Sequence, residues 1–225
     1  ARFSPEAGFV RRDDFRKSFG SFRFSPRPHS IEAVRKFTWE ASYDYVTDVA
    51  GLVETREARG RFRTEFESTD TFEVSYTGTY DFLKAPFTIA PDVAIPVGGY
   101  DFWTARTSLG LGQQRRVAGS VFAERGAFYG GTKTAVGVGG GGAFGGRIEL
   151  TRQLSFQPGL SFNWIDLPQD SFTTQLVTTR TTYTINPAMF ISALIQYNSS
   201  NDALSSNIRL RWEYQPGSEL FIVYN

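Results

Sequence analysis

Between Ala58 and Phe82 the chain alternates with period two. On the second arm Phe72, Val74, Tyr76, Gly78, Tyr80 and Phe82 are separated by Glu73, Ser75, Thr77, Thr79 and Asp81. Successive side chains of a strand point to opposite faces, so this spacing predicts a strand with one apolar and one polar face. The first arm repeats the pattern, with Ala58, Gly60, Phe62, Thr64 and Phe66 set against Arg59, Arg61, Arg63, Glu65 and Glu67. The polar turn Ser68-Thr69-Asp70-Thr71 makes the two arms a hairpin.

The unit recurs along the chain. Phe37, Trp39, Ala41, Tyr43 and Tyr45 form one apolar face, and Trp103, Ala105, Thr107, Leu109 and Leu111 another. Val117 to Ala123, Leu154 to Trp164, Val177 to Ile185, Met189 to Tyr197 and Ile208 to Tyr214 follow, and Leu220 to Tyr224 begins one more. Val136, Val138, Phe144, Ile148 and Leu150 share one parity, which predicts a single glycine-rich strand. Near the start, Phe9, Val10, Phe15, Phe19, Phe22 and Phe24 suggest one or two strands. Their parity slips between Phe19 and Phe22, and Gly20 at the slip is a candidate site for a bulge. The result is a meander of roughly a dozen strands of about nine to thirteen residues, twice the usual soluble length. Connections near 69, 114, 152, 186 and 216 read as tight, and those near 50, 90, 131, 168 and 201 as longer. The segment from Leu83 to Gly99, with Pro86, Pro91 and Pro96, is long enough to be a functional or surface loop.

Composition alters this picture in three ways. The 225 residues include no cysteine, so disulfides, thiol catalysis and cysteine metal sites are excluded. A net charge of +1 gives no reason to expect nucleic acid. Mean hydropathy of −0.28 is compatible with a transmembrane barrel, in which half of each strand faces a polar lumen. No apolar run approaches the roughly 18 residues of a spanning helix.

In mid-strand the apolar parity carries almost no charge and the other carries many of both signs, which gives the lumen-facing candidates Glu40, Asp44, Arg59, Arg61, Arg63, Glu65, Glu73, Asp81, Arg106, Arg147, Glu149, Arg209, Arg211 and Glu213. Aromatic residues gather toward the ends of the apolar parity. Trp39, Tyr45, Tyr80, Trp103, Trp164, Tyr183, Tyr197, Trp212 and Tyr214 are candidates for interfacial girdles.

Catalytic material is sparse. The single histidine, His29, falls in the Pro-rich loop Ser25 to Ser30 and reads as solvated. Glu65 and Glu73 have the chemistry of an acid–base pair, but neutralising the nearby arginines is the stronger reading. The run Gly139 to Gly142 lacks the Lys-Ser/Thr pair of a phosphate loop, so close strand packing explains it better. Arg59, Arg61 and Arg63 offer an anion-attracting strip, weighed against a salt-bridge network with Glu65, Glu67 and Glu73, which is favoured.

The segments SPEAGFVRRDDFR (4–16), FRFSPRP (22–28) and LRWEYQPGSELFIVYN (210–225) resemble a bacterial family of outer-membrane proteins. In that family an N-terminal module similar to family-9 carbohydrate-binding domains precedes a C-terminal β-barrel. The resemblance implies an outer-membrane location and a glycan-related role, and it supplies no active-site residues.

The expected fold is all-β, an antiparallel up-and-down transmembrane β-barrel or part of a larger one. Residues 1–225 are read as one barrel domain, a fragment of a longer chain. The expected function is a porin-like channel, a transport or export component or a membrane anchor in a bacterial outer membrane. Expected partners are outer-membrane lipid, lipopolysaccharide and further strands of the same or another chain. No cofactor, metal, nucleic acid or enzymatic activity is expected. The competing expectation is a soluble β-rich module that binds polysaccharide through exposed Trp and Tyr.

Overall fold

The computed structural model describes residues 15–90, 93–138 and 146–225. Phe9, Val10, most of the segment 4–16, Pro91, Gly139 to Gly142 and Phe144 lie outside the described residues.

The fold is all-β. Its strands are β1 (Phe15–Phe24), β2 (Val34–Asp48), β3 (Val53–Phe66), β4 (Thr71–Leu83), β5 (Phe87–Ala90), β6 (Val93–Ile95), β7 (Gly98–Leu111) and β8 (Val117–Phe128). There follow β9 (Gly131–Val138), β10 (Gly146–Glu149), β11 (Leu154–Asp166), β12 (Ser171–Asn186), β13 (Met189–Asn198), β14 (Ala203–Gln215) and β15 (Ser218–Tyr224). One antiparallel sheet takes all of them in chain order except β5 and β6, which pair with each other. Several strands are longer than the alternation predicts, and β12 reaches 16 residues.

Two stretches depart from the expected strands. β1 pairs with β2 from Phe15↔Asp48 to Phe24↔Trp39 without a register shift, so Gly20 hosts no bulge. Phe19 instead sits on the polar face, opposite Asp44, with the Lys17 ammonium 5.9 Å from its ring centre. The glycine-rich stretch is two strands rather than one. Val138 faces Val121 and Gly146 faces Gly119, so β9 and β10 share one position between β8 and β11. Pro158 lies on β11 at this interruption, where its missing N–H removes no donor from a continuous ladder.

The connections also differ from expectation. At the end of the sheet expected to carry long loops, only 84–97 is long; 49–52, 129–130, 167–170 and 199–202 are as short as those opposite. Tyr129-Gly130 is a two-residue turn with positive φ at both residues, 45° and 82°, the backbone of a primed hairpin turn.

The 84–97 connection is exposed over Lys84 to Thr88 and at Pro96 and Val97, and part of it is also packed against the sheet. Its β5–β6 hairpin folds over the polar face, burying Val93 and Ile95 with Ile165 and Leu167. Leu83, Tyr100, Phe128, Tyr129 and Phe172 pack around them. In a flat sheet β4 and β11 would stand roughly 19 Å apart at the usual strand spacing. Both touch one small cluster, so the sheet curls around the hairpin and the polar face is the inner one. Among the described residues, β1 pairs only with β2 and β15 only with β14.

Gly126 and Gly60 give the packing a direct test. A Cβ at Gly126 would collide with the Trp103 carbonyl oxygen on β7, whereas one at Gly60 meets nothing within 4 Å. Gly126→Ala is expected to destabilise by about 1–3 kcal/mol, the usual cost of overpacking. Gly60→Ala is expected to leave the denaturant midpoint unchanged. Equal midpoints for the two variants would contradict the tight β7–β8 approach.

Candidate functional site

The ladder register places every lumen-facing candidate on one face. Around β2–β4 these charges interlock. Arg61 pairs with Glu40 and reaches Glu73 at 3.6 Å, and Arg63 meets Glu73 at 3.7 Å and Glu65 at 3.8 Å. Lys36 closes on Glu65 at 3.1 Å, Arg23 on Glu40 at 3.2 Å and Lys17 on Asp44 at 2.7 Å. Further along, Glu124 receives Arg106 at 3.2 Å and Lys133 at 3.0 Å. Glu124 falls on the charged parity of its strand in the sequence, whereas Lys133 escapes notice there because Gly130-Gly131-Thr132-Lys133 reads as a loop and β9 in fact begins at Gly131.

The remaining candidates are spread out. Asp81 lies beside the hairpin, accepting from Thr55 Oγ1 at 3.4 Å and from the Tyr129 hydroxyl at 3.4 Å. Burial, and then the Asp81 charge, raise the Tyr129 phenol above its ordinary pKa, so it stays a neutral donor. Arg147 pairs with Glu149 at 2.6 Å, while Arg211 bonds Glu219 and stands 4.0 Å from Glu213. Arg59 and Arg209 form no ion pair among the described residues. Within those residues no cluster of three or more metal-ligating side chains occurs.

The opposite face is a continuous apolar surface. One ladder row runs Phe24, Trp39, Phe62, Val74, Thr107, Ala123, Val136, Phe162 across eight strand positions. A second runs Leu154, Tyr183, Ile191, Leu210, Ile222. All the girdle candidates are on this face. Tyr45, Tyr80, Trp103, Trp164 and Tyr197 lie toward the end that carries 84–97. Trp39, Tyr183, Trp212 and Tyr214 lie toward the other.

Burial is inverted relative to polarity. On the apolar face Trp103, Leu109 and Val121 are 42, 52 and 50 % exposed, while inward-facing Thr38 and Ser75 are 2 and 6 % exposed. The apolar face is not entirely uncharged. Arg16, Arg56, Asp101, Arg125 and Asp166 fall on it, each within three residues of the end of its strand. Arg56 bonds Asp101 at 3.2 Å and lies 5.7 Å from the Tyr80 ring centre.

At the other end of the strands two turns are tied together. The Gly112 N–H donates to Asp70 Oδ1 at 2.9 Å, and the Ser68 hydroxyl and Arg115 donate to Oδ2 at 2.9 and 2.6 Å. Gln114 Nε2 donates to the Ser68 carbonyl at 2.6 Å. The tie exists because β4 and β7 are neighbours although the turns lie more than 40 residues apart in sequence. Local pattern could not reveal it.

The Gly112 amide, the Ser68 hydroxyl and the Arg115 guanidinium hold the Asp70 carboxyl below the usual carboxylate range. A lowered folded-state pKa stabilises above the unfolded value and is lost as pH falls through the folded one. The tie is therefore expected to persist where an ordinary aspartate protonates, near pH ~3.9, and to break only below that. An NMR titration of the Asp70 carboxyl carbon and the Gly112 amide reads this directly. Arg115→Gln should move the midpoint upward, and an unmoved midpoint would remove Arg115 from the account.

No family model, curated protein or solved structure matches this chain, so the likeness of segments 22–28 and 210–225 to an outer-membrane family stands as an expectation.

Proposed function

We propose that the chain forms all or part of a transmembrane β-barrel of the bacterial outer-membrane type, serving as a channel, a transport or export component, or a membrane anchor. The inverted burial carries this reading. A soluble protein rarely leaves an apolar patch beyond a few hundred Å² uncovered, and here the exposed side of a twelve-position sheet is apolar except for charges near its strand ends. Hydrocarbon is the solvent that such a face matches.

Other features agree. The strands are long enough to cross a bilayer at a tilt, and the aromatic residues sit toward both ends of the apolar face. Unpaired strand edges cannot face lipid, so the β1 and β15 edges require partners in a membrane. The two run in opposite directions, so they are suited to antiparallel pairing with each other or with added strands. The hairpin at one end narrows the inner side and gives any channel a constricted mouth. A role in glycan handling rests on the family resemblance alone.

A second reading is a soluble polysaccharide-binding module. The exposed stacked pairs Phe24–Trp39 and Tyr76–Trp103, with ring centres 5.9 and 6.0 Å apart, favour it as sugar platforms. Detergent separates the two. The barrel reading expects a strand-rich, monodisperse protein only in detergent, whereas the module would be monodisperse without it.

Neighbouring positions test the faces. Leu160 lies in the apolar row with Val138 and Val177, and Ser161 points inward with Gly137. An arginine at mid-bilayer on the lipid side costs about 2–4 kcal/mol. Leu160→Arg is expected to impair assembly into vesicles strongly and Ser161→Arg weakly. Equal tolerance at both positions would refute the proposed orientation.

A further inference from the structure

We infer that the recess on the polar face of β1–β3 binds a small oxyanion, a carboxylate or a phosphate. Its volume is about 280 Å³, and Arg23, Arg59, Arg61, Ser21, Ser42 and Glu40 give it its polar lining. At roughly 30 Å³ per water, such a space holds a small anion with part of its hydration shell.

The chemistry of the walls is unbalanced toward donors. Three guanidinium groups face one carboxylate, and Glu40 is already taken by Arg23 and Arg61. Arg61 Nε is buried and donates to no protein acceptor, as is true of Arg63 Nε beside it. Arg59 forms no ion pair and no side-chain hydrogen bond among the described residues. Its ladder neighbours are Ser42 on β2 and Thr77 on β4, and Ser21 follows Ser42 on β1. The hydroxyls of Ser21 and Ser42 also bond to no protein group within those residues.

A guanidinium has donors and no acceptor, so this row asks for an acceptor-rich partner. Planar guanidinium forks match the paired oxygens of carboxylate and phosphate, and a charged hydrogen bond is stronger than a neutral one. The nearby carboxylates leave this balance in place. Asp44 is paired with Lys17, and Glu73 lies between Arg61 and Arg63. Glu57, two residues before Arg59 on the same face, lies outside the recess lining and within 4 Å of no cation. Arg59 is thus the anchor, Arg61 a second donor, and the serines the fine positioning. The site is defined by the polar face, so it does not depend on lipid covering the other one.

The test uses the full chain with 15N-labelled arginine side chains, folded in whichever medium keeps it monodisperse. Sodium phosphate and sodium acetate are titrated at constant ionic strength, with sodium chloride as reference. The Arg59 and Arg61 Nε–H signals are expected to shift saturably with phosphate, acetate or both, and the saturating salt identifies the preferred chemistry. Arg59→Gln should weaken that binding about tenfold or more, the usual scale of a charged hydrogen bond. Arg209→Gln, at an unpaired arginine on β14, should leave it unchanged. Ser42→Ala, which keeps every charge, should weaken it severalfold and serves if Arg59→Gln fails to fold. Shifts that rise linearly, match those with chloride, or survive both Arg59→Gln and Ser42→Ala would overturn the site.

Discussion

Register is the constraint on which the rest of this structure depends. Each strand alternates apolar and polar residues, and antiparallel pairing joins residues that point the same way. Twelve strand positions therefore share one apolar and one polar face only if no ladder slips by a single residue. The shifts that do occur in this sheet, between Val34 and Lys36, Val46 and Thr47, Thr184 and Asn186, and Glu213 and Gln215, lie at strand ends. A slip within β3 would exchange Arg59, Arg61 and Arg63 for Ala58, Gly60 and Phe62, stranding three cations on the apolar face.

The inner face is stabilised by charge rather than by apolar packing. Arg23, Glu40, Arg61, Glu73, Arg63, Glu65 and Lys36 form a continuous chain of opposite charges. Each exposed ion pair contributes little, about 0–1 kcal/mol. In a confined interior the network matters mainly because removing one partner leaves a charge without compensation. Arg59 belongs to this strip by sequence but not by pairing, and that difference turns a structural ladder into a candidate site. Among the described residues the cluster of buried hydrophobic side chains lies at the β5–β6 hairpin, where Val93 and Ile95 meet Ile165 and Leu167.

Strand order, face assignment and the aromatic bands were legible in the sequence because period-two alternation is local. Three features were not. Phe19 read as an apolar-face residue, although an aromatic ring beside Lys17 is tolerated on the polar face. The break between Val138 and Gly146 keeps the parity of its flanks, so alternation carries no mark of it. The hairpin hides in a segment with Pro86 and Pro96, where proline suggests open loop, and its strands of four and three residues are too short to show a period. The donor-rich recess combines residues from three strands. Its arginine strip was visible, whereas the absence of a partner for Arg59 depends on where Glu40 and Glu73 point.

The central claim is that the apolar face meets hydrocarbon while the polar face meets water. The natural absence of cysteine makes single-cysteine spin labelling straightforward along β4, at positions 74 to 79 in vesicle-reconstituted protein. The account predicts that collision with oxygen peaks at 74, 76 and 78, while collision with a water-soluble nickel complex peaks at 75, 77 and 79. Nickel access of equal strength at both parities would contradict it.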